Sequence, residues 1–112
     1  MAFIVPGVPR GIDRITTDVQ RHLRIVFFGT PKFAVPALRL LVTRGWPVAM
    51  VVTAPDKPVG RRAVMTHSPV YDAAMELGIP IRTPVNLRDE TLAMEFSELR
   101  PDVCIVAAYG RL

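Results

Sequence analysis

Three short, uncharged apolar runs constrain this chain more firmly than any motif in it: IVFF at residues 25–28, VAMVVT at 48–53 and VCIVAA at 103–108. Runs that are continuous rather than alternating belong to strands covered on both faces, the condition of a parallel sheet. Parallel neighbours need crossovers, and the stretches between the runs supply them. Residues 33–44 bring Phe33, Ala34, Ala37, Leu38, Leu41 and Val42 back at helical spacing, with Pro36 in the first turn and Gly45 at the stop. Ser68 followed by Pro69 is a cap and first-turn signature, and the helix it opens runs to Leu77 and closes at Gly78. A thinner strand over 79–83 is limited by Pro80 and Pro84. A third helix begins at Asp89 or a neighbour, turns Leu92, Phe96 and Leu99 inward, and ends before Pro101.

The order β-α-β-loop-α-β-α-β predicts an α/β fold, the amino-terminal half of a doubly wound, Rossmann-like parallel sheet in strand order 3-2-1-4 with right-handed crossovers. Such an order reverses between the first and fourth strands, which places a ligand crevice at their carboxyl ends. Gly29-Thr30-Pro31 and Tyr109-Gly110 should meet there. The sequence closes at Leu112, just past the fourth strand; an apolar edge left without a successor is a pairing hazard, so the expectation is a fragment truncated after that strand. Residues 1–23 hold Pro6, Gly7, Pro9 and Gly11 and show no sustained period. They are expected to be an extension, disordered or a misassigned start, ahead of a partial domain over 24–112.

Half of the 112 residues are hydrophobic and the net charge is only +4, which excludes a disordered chain. One cysteine, Cys104, cannot close an internal disulfide or build a cysteine zinc site, so a metal-free cytoplasmic protein is expected, with Cys104 a small core residue. No apolar run approaches the roughly 20 residues needed to cross a bilayer. Charge is unevenly placed: residues 1–62 hold ten basic and three acidic side chains, residues 63–112 four basic and seven acidic. That asymmetry suits an acidic partner such as nucleic acid, although scattered arginines also serve simply to solvate a surface.

The segment from Ala54 to His67 is far longer than the roughly 2 to 6 residues usual between elements of α/β units. It reads as a loop that places Lys57, Arg61 and Arg62 around Gly60, cations able to neutralise phosphates. The turn after the first strand lacks the two further glycines of a dinucleotide fingerprint. It still aims backbone donors and Thr30 into the crevice, and Phe33 either walls a small apolar group or joins the core. His67 reads as a loop histidine and Asp56 lacks a carboxylate partner at useful spacing. Nothing assembles into an acid-base set.

Four blocks in order, RIVFFGTPKFAVP from Arg24, VTAPDKPVGR from Val52, SPV from Ser68 and VAAYG from Val106, closely resemble the amino-terminal part of the methionyl-tRNA formyltransferases. The resemblance spans residues 24–112. It implies transfer of a formyl group from 10-formyltetrahydrofolate to the amino group of methionine carried by initiator tRNA. It further implies that Lys57, Arg61 and Arg62 reach the tRNA acceptor arm, with Arg61 matching the family's key loop arginine. Gly29, Thr30, Pro31 and Phe33 would border the methionine and formyl site, and Tyr109 and Gly110 would begin the wall of the folate pocket. The family's catalytic asparagine, histidine and aspartate would lie beyond Leu112, so no catalytic residue is assigned and the 112 residues alone are expected to be inactive. Lys32 stands where the family usually has an acid, Arg62-Ala63-Val64-Met65 replaces its glycine and further basic residues, and the extension has no counterpart. A related formyltransferase with an amino-sugar or glycinamide nucleotide acceptor would share the sheet, and a noncatalytic nucleic-acid-binding module would share the basic loop.

Overall fold

The structure, a computed structural model, describes residues 22–109. The expected extension over 1–23 and the Gly110 assignment therefore lie, apart from residues 22 and 23, outside the described residues. Four parallel strands, β1 (Ile25–Gly29), β2 (Val48–Val52), β5 (Ile81–Arg82) and β6 (Val103–Ala107), form one sheet in the order β5-β2-β1-β6. This is the 3-2-1-4 arrangement that the apolar runs predict. Three helices make the crossovers: α1 (Val35–Thr43), α2 (Pro69–Glu76) and α3 (Glu90–Leu99).

Every residue of β1 is buried because the sheet is covered on both sides. On one face Phe27, Val51 and Ile105 pack with Ala34, Leu38, Val70, Ala73 and Ala74 under α1 and α2. On the other, Val26, Phe28, Met50 and Val52 pack with Leu92 of α3 and with Tyr109. The period of two along β1 thus feeds two separate clusters, and the Phe28 ring meets Phe96 and Tyr109 edge-on at 6.0 and 5.6 Å.

Helix ends follow local chemistry. Ser68 accepts the Tyr71 N–H at 3.0 Å as the cap of α2, and Asp89 accepts from Thr91 and Leu92 at the start of α3. Arg100 takes a left-handed conformation at φ 51° and stops α3 before Pro101. Where a helix was expected from Phe33 onward, residues Lys32–Ala34 instead form a 3-10 turn, with the Val35 N–H bonded to the Lys32 carbonyl. Pro36 has no N–H to offer that carbonyl in an α bond, so the α-helix proper starts only at Val35, with Pro36 in its first turn. Cys104 also departs from expectation: it is exposed on β6 rather than buried, and partial desolvation raises its thiol pKa. β6 is an edge strand among the described residues, and the helices cover β1 and β2 more fully than the edge.

The Ser68 hydroxyl does a second task, lying 2.6 Å from the hydroxyl of Thr53, which is fully buried at the end of β2. Ser68→Ala removes the cap and strands the Thr53 hydroxyl, and should cost about 1 to 2 kcal/mol. Urea titration checks this, with Ser68→Thr expected to retain most of the stability.

Candidate functional site

Two features meet at the carboxyl end of the sheet. The first is the point where the strand order reverses and a crevice is expected, with Gly29 of β1 in register with Ala107 of β6. Gly29 is there because nothing larger fits: a Cβ would stand 2.8 Å from the Phe27 ring and 3.1 Å from the Ala107 carbonyl oxygen. Thr30 and Pro31 follow, half-buried. Phe33 is 74% exposed, so of its two expected positions, crevice wall or core, the structure excludes the core; Ala34 fills that place instead. Tyr109 lies two residues past Ala107 and is buried against Phe28.

The second feature is the long connection after β2, and here the sequence reading needs correction. Residues expected to be a plain loop form an antiparallel hairpin, β3 (Lys57–Val59) and β4 (Val64–Thr66), paired Lys57 with Thr66, Pro58 with Met65 and Val59 with Val64. Its four-residue tip is Gly60-Arg61-Arg62-Ala63, closed by the Ala63 N–H on the Gly60 carbonyl at 3.1 Å. Gly60 at φ 77° and Ala63 at φ 49° take the left-handed conformations that the reversal needs. Arg61 and Arg62 are therefore presented together at the tip with Lys57 on the first strand, all exposed, and none of the three makes an ion pair among the described residues. Val59, Val64 and Met65 are exposed as well, so the hairpin carries apolar surface beside its charge.

The hairpin root is joined to the first turn, since the Ala54 N–H donates to Thr30 Oγ1 at 3.3 Å. Asp56 and His67, which sequence reasoning left apart, are brought together: Asp56 Oδ1 and His67 Nδ1 are 2.5 Å apart. The His67 ring stacks on Tyr71 of α2, with centroids 3.9 Å apart and planes 13° from parallel. Asp56 and His67 stand eleven positions apart in the chain, and only recognition of the hairpin register would have shown them as neighbours. Among the described residues no group of His, Cys, Asp and Glu could hold a metal ion, and no helix is long and apolar enough to cross a membrane.

Residues 23–112 match the formyl transferase family. The chain belongs to that family. Curated relatives agree and are more specific in name. A methionyl-tRNA formyltransferase of Roseiflexus sp. (strain RS-1) is 50% identical over 91 residues, covering 80% of this chain and 28% of the relative. The methionyl-tRNA formyltransferases of Marinobacter nauticus and Lysinibacillus sphaericus are 48% and 46% identical over 88 residues, in each case 79% of this chain and 28% of the relative. The chain thus spans under a third of the length of these formyl transferase relatives, and the family match over residues 23–112 takes in all four strands of the parallel sheet and the basic hairpin.

Proposed function

We propose that this chain carries the RNA-gripping and formyl-site-bordering part of an enzyme that moves a formyl group from 10-formyltetrahydrofolate to the amino group of methionyl initiator tRNA. The observation that carries this reading is the hairpin: two adjacent arginines at its tip, a lysine on its first strand and no acid between them, in a family member similar to methionyl-tRNA formyltransferases. In this reading Lys57 and Arg62 neutralise phosphates along the acceptor arm and Arg61 neutralises one at its end. Gly29, Thr30 and Pro31 line the formyl site, the open Phe33 ring offers contact to the apolar methionine side chain, and Tyr109 with Gly110 begins the folate wall.

A folate donor supplies the activated formyl carbon; the residues of this chain bind and orient the two substrates. None of Gly29, Thr30, Pro31 and Phe33 is a base able to take a proton from the attacking amine. The 112 residues are accordingly expected to bind without turning over, and formyl transfer by the purified chain would contradict this. Their place of action is the cytoplasm, where translation is initiated.

Arg61→Ala tests the grip directly. In titrations of initiator methionyl-tRNA at several salt concentrations, binding should weaken and the slope of log K against log salt should fall by about 0.9, one lost phosphate contact. Binding that is insensitive to salt and unaltered by Arg61→Ala would remove the tRNA reading.

A further inference from the structure

The hairpin has little of its own to hold it in one attitude. Its ladder is three residue pairs long, all six members are exposed, and Pro58 has no N–H to donate. Isolated two-stranded hairpins are marginal in water. Something outside the ladder must set the direction in which Arg61 and Arg62 point.

The contacts below the ladder form a continuous connection to the body of the protein. Thr53, fully buried at the end of β2, shares a hydrogen bond with Ser68 at 2.6 Å, and Ser68 caps α2. Tyr71 in the first turn of α2 stacks on His67, and His67 bonds Asp56, one pair below Lys57 and Thr66. Both ends of the hairpin are thereby tied to each other and, through Tyr71, to a helix seated on the sheet. Asp56 is also the one carboxylate between Ala54 and Ser68. Held at the root by His67, it is kept from the three cations farther out.

We propose that Asp56, His67 and Tyr71 form a clasp that fixes the attitude of the basic hairpin, making His67 a positioning residue for the RNA end rather than a contact to it. This rests on the tRNA reading above for its functional consequence, though not for the clasp itself. A contact residue and a positioning residue leave different marks. Removing a phosphate contact lowers the salt slope, whereas loosening the hairpin weakens binding with the slope intact.

The test uses the full 112-residue chain with His67→Ala, His67→Asn and Arg61→Ala. Backbone 15N relaxation follows residues 57–66, and titration with initiator methionyl-tRNA gives affinity and salt slope. In His67→Ala the hairpin order parameters should fall from near 0.85 to below about 0.6, with β1 unchanged. Affinity should drop about three- to tenfold, the range that one net hydrogen bond corresponds to, at an unaltered slope. His67→Asn, whose amide can donate where Nδ1 does, should recover most of both. Unchanged order parameters in His67→Ala would overturn the clasp. A loosened hairpin with undiminished affinity, or a slope lowered by about one, would overturn the positioning role. Should the unaltered chain show no tRNA binding, the proposed function fails while the relaxation data still judge the clasp.

Discussion

Phe27→Ala should remove most of the stability of the sheet, about 3 to 5 kcal/mol by the usual cost of emptying a buried aromatic site. Phe27 lies in the central strand, fully buried, with α1 and α2 packed over the same face. Its neighbours are held by the register of β2 and β6 on either side, so they have little freedom to close over the gap. For a chain of this size the loss corresponds to a fall in Tm of roughly 15 to 30 °C. Thermal melts followed by circular dichroism check it; a fall under about 5 °C would mean that the cluster beneath α1 does not organise the fold.

Gly29→Ala should destabilise by the opposite route. The added Cβ would stand 2.8 Å from a carbon of the Phe27 ring, 3.1 Å from the Ala107 carbonyl oxygen and 3.2 Å from the Ala34 Cβ. The ring cannot swing away because it is enclosed, and the Ala107 carbonyl belongs to the neighbouring strand. The cost should reach about 3 kcal/mol, the upper part of the range for overpacking. The two changes are coupled. With Phe27 already replaced by alanine the nearest of the three obstacles is gone, so Gly29→Ala in that background should cost about 1 kcal/mol less than it does alone. Denaturant titration of the four members of the cycle gives the coupling directly, and strict additivity would show that the ring is not what excludes a side chain at position 29.

Much of the architecture is legible in the chain. The uncharged runs at 25–28, 48–53 and 103–108 became β1, β2 and β6, and Ser68, Asp89 and Pro101 marked helix boundaries where the structure has them. The strand over 79–83 shrank to Ile81 and Arg82, as its flanking prolines allow. The candidate site was only half visible. Gly29, Thr30, Pro31 and Tyr109 fall at the carboxyl ends of β1 and β6 where the strand order places them. The hairpin over 57–66 was hidden because Pro58 and Gly60 are loop signals, and its short, fully exposed strands have no buried face to impose a period of two.

What the sequence determined by itself is the four strands of the parallel sheet, the three helices and their order, since apolar runs, caps and proline stops act over a few neighbouring residues. Only the tertiary structure decided that Asp56 meets His67, that His67 stacks on Tyr71, that Phe33 faces outward and that Cys104 is not enclosed. Each of those depends on which segment comes to lie against which. A hydrogen bond or a stacked ring between residues distant in the chain leaves no periodic trace in the order of the amino acids.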